Sequence, residues 1–90
     1  MCTYATEQTA VVGSAKRDSG WMSLTRAMVY YDHPQHAPAA HTVNIDFLNE
    51  AAGPSGRVAV ELTAASARRL IEAINHILES AGDLVEMDDH

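Results

Sequence analysis

The sequence predicts an α+β fold, namely a four-stranded antiparallel sheet with one C-terminal helix packed on one face. The chain has 90 residues, which suffices for one domain with a modest core. Four segments have the alternation or the composition of β-strands, and one later segment repeats apolar residues at helical spacing. We expect a single α+β domain over residues 1–82 and an acidic mobile tail over residues 83–90.

The predicted strands alternate with turn signals. The first strand (3–14) carries Thr, Val and Tyr, and the run KRDSG (16–20) is typical of a hairpin turn. The second strand (21–32, WMSLTRAMVYYD) is rich in β-forming residues. The third (41–48, HTVNIDFL) and fourth (57–62, RVAVEL) alternate cleanly and flank AAGPSG, a strong turn signal.

The helix is bounded by a favourable residue at each end. Thr63 is a good N-cap and Gly82 is a good C-terminal stop. Between these two residues the apolar side chains recur three and four positions apart, which predicts one continuous stripe. Its members are Ala67, Leu70, Ile71, Ile74, Ile77 and Leu78.

The second strand is apolar on both sides, although one helix can cover only one face of the sheet. One side carries Met22, Leu24, Met28 and Tyr30, and the other carries Trp21, Ala27, Val29 and Tyr31. A solvated face of an antiparallel sheet is mostly polar. We therefore expect the second face to contact either another copy of the chain, giving a homodimer, or an apolar small-molecule ligand.

Composition excludes several classes of partner. The net charge is −6, from 12 acidic and 6 basic residues, and the basic residues are scattered, which argues against nucleic acid. No apolar run approaches the ~20 residues that span a bilayer, so no membrane partner is expected. The first ten residues lack a basic start and an apolar core, and the single cysteine cannot form an internal disulfide. We expect a cytoplasmic protein.

Three of the five histidines lie in the segment that joins the second and third strands. His33, His36 and His41 are separated there by Pro34 and Pro38, which restrict the backbone. Neutral imidazole is a common ligand for zinc, copper, nickel and iron. If the two strands form a hairpin, His33 and His41 lie at its two legs and His36 lies at the tip. The pattern predicts a metal site.

Two further residues are candidates to complete that site. Asp32 is either a fourth ligand or an acceptor that orients an imidazole, and Cys2 would become N-terminal after removal of Met1. Zinc is the default metal, and copper, nickel or iron fit the same ligands. Three His ligands leave one coordination position open, so a metal-dependent enzyme acting on a small molecule is allowed. The sequence does not decide whether the protein is an enzyme.

Other interpretations of these residues stay open. The histidines could belong to a His-rich surface loop without a role, or one could be a general base in a metal-free enzyme. The protein could instead be a non-catalytic dimeric interaction or ligand-binding module that uses the face of Trp21, Val29 and Tyr31. Asn44 and Asp46 could line a pocket with Tyr30 or Arg26, and a solvated sheet face explains them equally well.

Three segments of the chain resemble a family of small bacterial proteins of unknown function. They are the opening MCTY-x-TEQ, the central YYDHP-x-HAPA-x-HT-x-NIDF and the closing VAVEL-x-x-x-SAR. The likeness extends from Met1 to the helix. It implies that Cys2, Asp32, His33, His36 and His41 stand in characteristic segments of the family, and it implies no activity.

Overall fold

The computed structural model describes residues 5–34 and 39–88. Four strands form one antiparallel sheet in the order β1-β2-β3-β4, so each strand pairs with its neighbours in the chain. The strands are followed by two helices. The bounds are β1 Thr6–Arg17, β2 Gly20–Asp32, β3 Thr42–Leu48, β4 Arg57–Leu62, α1 Ala64–Ala81 and α2 Asp83–Asp88. The predicted α+β class, with a four-stranded antiparallel sheet and a C-terminal helix, is confirmed.

The connections between strands follow the turn chemistry of the sequence. Arg17 pairs with Gly20, so Asp18 and Ser19 form a two-residue hairpin loop between β1 and β2. A 3₁₀ segment, Glu50–Ser55, joins β3 to β4 and lies where the sequence predicted a turn. Its first turn is capped by the Asn49 side chain, which accepts a hydrogen bond from the Ala51 backbone N–H at 3.0 Å.

β1 contains a β-bulge. Ala10 pairs with Arg26 and Gly13 pairs with Leu24, so two residues of β1, Val11 and Val12, lie opposite one residue of β2. The bulge interrupts the ladder of an edge strand, and the Val12 side chain is fully exposed. Such an irregularity disfavours pairing of this edge with another sheet.

Strand register assigns the side chains to two faces, because directly paired residues of an antiparallel sheet lie on the same side. Val29 pairs with Ile45 and Ile45 pairs with Val60, so the alternating apolar residues of three strands share one side. We call this side the apolar sheet face. Its members are Ala27, Val29, Tyr31, Val43, Ile45, Phe47, Val58, Val60 and Leu62.

The opposite sheet face carries most of the polar residues of the same strands. It includes Arg26, Met28 and Tyr30 of β2, Thr42, Asn44, Asp46 and Leu48 of β3, and Arg57, Ala59 and Glu61 of β4. Thr42 and Asn44 are nevertheless buried, with 0% and 6% of their surface exposed. The Thr42 hydroxyl donates a 2.7 Å hydrogen bond to the Asn44 side-chain oxygen, which offsets the cost of burying both groups.

α1 begins and ends where its caps predicted. The Thr63 hydroxyl accepts a hydrogen bond from the Ser66 backbone N–H at 3.2 Å, and Gly82 ends the helix with a positive φ of 52°. Its contacts with the sheet differ from those expected. Ser66 and Ala67, in the first turn, are partly buried, whereas the residues from Arg68 to Ser80 are exposed. The apolar stripe therefore does not cover a face of the sheet within the same chain.

The segment predicted as an acidic tail starts with regular structure. Residues Asp83–Asp88 form α2, directly after Gly82. The domain limit at residue 82 and the mobility of residues 83–90 stay predictions.

Candidate functional site

The candidate site lies where the β2–β3 hairpin opens into its connecting segment. The last pair of the ladder is Asp32 with Thr42, so His33 directly follows β2 and His41 directly precedes β3. Their ring centroids are 4.7 Å apart and their planes are inclined by 30°. The prediction that these two histidines lie close together at the legs of the hairpin is confirmed for this pair.

The His33 ring is oriented by its own connecting segment. Its Nδ1 atom lies 3.0 Å from the backbone carbonyl oxygen of Ala40, and a carbonyl can only accept a hydrogen bond. A neutral His33 ring therefore carries its proton on Nδ1, which leaves the lone pair of Nε2 available. A carbonyl acceptor on one ring nitrogen is the usual way in which a metal-binding histidine is held.

Asp32 positions the backbone next to this ring. Its Oδ1 atom accepts a hydrogen bond from the His33 backbone N–H at 2.7 Å, and only 9% of the residue is exposed. A carboxylate that accepts from the following N–H fixes the direction in which the chain leaves the strand. This contact supports the position of His33.

An aromatic row extends from the histidines onto the apolar sheet face. The His41 ring stacks on Tyr31 with centroids 5.7 Å apart and an interplanar angle of 23°. Tyr31 also borders a shallow apolar cavity of about 160 Å³, whose walls are Ala5, Glu7, Val29, Tyr30, Tyr31 and Val43. Pockets for drug-sized ligands measure roughly 300–1,000 Å³, so this one fits a small group only.

Two of the predicted ligands, His36 and Cys2, lie outside the described residues. Within residues 5–34 and 39–88, no group of three or more His, Cys, Asp or Glu side chains has the arrangement of a metal site. The described part of the chain therefore contributes two imidazoles at most, and a third ligand would have to come from elsewhere.

A polar cluster on the opposite sheet face joins three strands. The Tyr30 hydroxyl donates to Asp46 Oδ2 at 3.3 Å, and the Arg57 guanidinium donates to Asp46 Oδ1 at 3.1 Å. Burial, followed by the negative charge and the hydrogen bond of Asp46, raises the pKa of the Tyr30 hydroxyl above its ordinary value. The phenol therefore remains a donor at neutral pH.

The sequence predicts only part of this cluster. Alternation puts Asn44 and Asp46 on one side of β3, with Tyr30 or Arg26 nearby, but it does not identify Arg57 as the partner of Asp46. The interpretation of this side as a solvated face is wrong for Asn44, which is buried. Charge alternation between β3 and β4 is the signal that could have paired Asp46 with Arg57, because the two strands are neighbours.

Comparison with known proteins yields one relationship. No curated protein and no solved structure matches the chain significantly. Among the described helices, none has the length and apolar character needed to cross a membrane. Residues 1–87 match DUF6295, which is described as a family of unknown function. The matched range includes His33, His36 and His41. Because the match covers nearly the whole chain, the protein belongs to this family.

Proposed function

We propose that the protein binds a divalent transition-metal ion through His33, His36 and His41. The observation that carries the proposal is the His33–His41 pair, whose rings lie 4.7 Å apart at the end of a regular hairpin. Two imidazoles fixed by paired strands lose little freedom on binding an ion, which favours metal affinity.

The ring separation suits a shared metal ion. Metal-to-nitrogen distances of about 2.0–2.1 Å put two ligating nitrogens of a tetrahedral site about 3.3 Å apart. Because the ring nitrogens lie away from the ring centroid, a centroid separation of 4.7 Å is compatible with two Nε2 atoms at that distance. The Ala40 carbonyl already holds the His33 ring through Nδ1, which leaves Nε2 for the ion.

His36 is the third ligand in this proposal, because it lies between the two paired histidines in the chain. Asp32 and Cys2 are candidates for the fourth position. Zinc is the first metal to test, and copper, nickel and ferrous iron follow on the same ligands. If neither residue occupied that position, zinc held by three His ligands would keep it for water, as in catalytic zinc sites.

The test is zinc binding to untagged, chelator-treated protein, measured by isothermal titration calorimetry and by elemental analysis. We expect about one ion per chain. His33→Ala and His41→Ala should each weaken binding at least tenfold, and the His33→Ala/His36→Ala double variant should abolish it. The matched control is His76→Ala, because His76 lies exposed on α1, outside the hairpin. Equal binding by His33→Ala and His76→Ala, with both variants folded by circular dichroism, would contradict the proposal.

The apolar sheet face supports a second candidate function, that of a non-catalytic interaction or ligand-binding module. All of its members except Ala27 are partly exposed, and the 160 Å³ cavity opens on it beside Tyr31. Metal-free protein that is fully folded, and whose melting temperature is unchanged by a chelator, would favour this function over metal binding.

A further inference from the structure

The apolar stripe of α1 has no partner among residues 5–34 and 39–88 of its own chain. Its five large members, Leu70, Ile71, Ile74, Ile77 and Leu78, are between 46% and 70% exposed. They lie on one side of an 18-residue helix and are spaced three or four positions apart. A regular stripe of this kind in a globular protein normally faces a core, so its exposure in one chain indicates a contact that a single chain does not supply.

The position of α1 in the chain explains why the stripe stays exposed. Only Thr63 separates the end of β4 from the start of the helix. The helix is about 27 Å long, and residues 68–80 are exposed after a partly buried first turn. α1 makes few contacts with β3 and β4, so most of the stripe does not contact the apolar sheet face of its own chain.

The apolar sheet face is the complementary surface. Apart from Ala27, which is 5% exposed, each of its members retains partial exposure. No member of the face or of the stripe is charged, and Glu7 of β1, which pairs with Val29, borders the face. Most of the net charge of −6 per chain therefore need not enter a contact between these two surfaces.

The chain exposes more surface than a compact monomer of its mass, and the excess is similar to the area that a second subunit would bury. The chain exposes 6868 Å², whereas a compact monomeric protein of 9.7 kDa exposes about 5,100 Å². The radius of gyration is 14.7 Å, against about 12 Å for a compact chain of this length. The excess of about 1,700 Å² per chain corresponds to about 3,400 Å² per pair, which lies within the 2,000–5,000 Å² of obligate homodimers.

We infer that two copies form an obligate dimer in which the α1 stripe of each copy packs on the apolar sheet face of the other. Because each copy offers one helix stripe and one sheet face, a single two-fold axis allows both surfaces of both chains to be buried. A second copy supplies both surfaces at once, whereas a foreign partner that covered only one of them would leave the other exposed. The bulge at Val11 and Val12 disfavours edge-to-edge pairing through β1. The inference does not depend on metal binding.

The first test is the molar mass of the full chain in chelator, measured by light scattering after size-exclusion chromatography. We expect the wild type to be a dimer at micromolar concentration. Ile74→Asp places a charge at the centre of the stripe and should weaken association at least a hundredfold. His76→Asp adds the same charge on the opposite side of α1 and should leave the dimer intact. A folded, monomeric wild type would overturn the inference, as would equal association of the two variants.

The second test distinguishes the arrangement of the two copies. Ile74 is replaced by the photo-cross-linker p-benzoylphenylalanine in one isotope-labelled chain, which is mixed with unlabelled wild type and irradiated. Mass spectrometry should locate the cross-links on β2, β3 or β4 of the unlabelled chain. Cross-links to α1 of the other chain, cross-links within one chain, or a dimer without cross-links would overturn the exchanged arrangement.

Discussion

At the scale of single residues, Asp46 connects three strands through its two carboxylate oxygens. Oδ2 accepts from Tyr30 on β2 and Oδ1 accepts from Arg57 on β4, while Asp46 itself lies on β3. Hydrogen bonds to a charged group are worth about 1.5–3 kcal/mol when they are protected from water. Arg57 is half exposed, so the contribution of its ion pair is reduced by solvent.

The raised pKa of Tyr30 makes the stability of the protein depend on alkaline pH. The folded state holds the phenol proton more tightly than the unfolded state does, so the unfolded chain ionises first, from about pH 10. The contribution of Tyr30 to the free energy of unfolding should therefore be largest below pH 10. It should fall as the pH rises towards the pKa of Tyr30 in the folded state. The Tyr30→Phe variant should therefore lose less stability than the wild type when the pH rises above 10.

Urea unfolding of the wild type and Tyr30→Phe at pH 7 and at several values above pH 9.5 checks this prediction. At pH 7 the variant should lose about 1 kcal/mol, the value of one hydrogen bond. Asp46→Asn is the second variant, because it removes a negative charge that disfavours the tyrosinate. Parallel curves for the wild type and Tyr30→Phe above pH 10 would refute the assignment.

The sequence predicts the His33–His41 contact because residues that flank a hairpin loop are forced together by the strands. The same reasoning cannot place His36, since a connecting segment has no fixed partner strand. The contact of Asp32 with the His33 backbone was also not predictable as such, because a carboxylate at a strand end has several acceptor roles of similar energy. Alternation limits which residues share a side of the sheet, but it does not choose among their hydrogen bonds.

At the scale of elements, the β3–β4 connection depends on the absence of a side chain at Gly56. A Cβ atom at this position would lie 2.6 Å from the Asn49 carbonyl oxygen and 2.6 Å from Ala52 Cβ. The Asn49 backbone N–H donates to the Gly56 carbonyl at 2.8 Å, so the two residues cannot separate without losing that bond. Gly56→Ala should therefore cost about 1–3 kcal/mol of unfolding free energy.

Gly13→Ala is the matched control for that substitution. A Cβ at Gly13 would meet no atom within 4 Å, and a glycine in a strand weakens the strand. The control should be neutral or slightly stabilising when both variants are unfolded with urea. A Gly56→Ala protein as stable as Gly13→Ala would show that the connection rearranges without cost.

The sequence predicted the elements well where a chemical signal marks their ends. Thr63 and Gly82 bound α1, and β4 has the predicted limits of residues 57–62. β1 runs from Thr6 to Arg17 instead of residues 3–14, because the bulge at Val11 and Val12 breaks the alternation and conceals the second half of the strand. The turn signal at residues 51–56 proved to be a capped 3₁₀ segment.

At the scale of the whole molecule, the sequence does not show whether α1 packs on the sheet of its own chain or on that of a second copy. A period of 3.6 residues predicts that the α1 stripe faces an apolar surface, but it contains no information on whether that surface belongs to the same chain. Ala27 is the one apolar side chain that is buried within the described ranges 5–34 and 39–88. A single chain with so small a fully buried core gains less than usual from hydrophobic burial, the main favourable term of folding.

Burial of the stripe by a second copy would supply much of the missing stability. Each of its five large side chains is about half exposed, and complete burial of such a side chain contributes about 1.5–3 kcal/mol. The stripe would then contribute about 5 kcal/mol per chain, the lower end of the total stability of a small domain. Folding and association should accordingly be one process.

The unfolding midpoint should therefore depend on protein concentration. For a dimer that unfolds directly to two free chains, a tenfold increase in concentration stabilises the folded form by about 1.4 kcal/mol, and the melting temperature should rise by about 3 °C. A protein that folds as a monomer shows no such shift. Thermal unfolding followed by circular dichroism at three concentrations between 2 and roughly 200 μM measures it. The His33→Ala/His41→Ala variant in chelator should show the same shift, because association of the two copies uses the stripe and the apolar sheet face rather than the histidine pair.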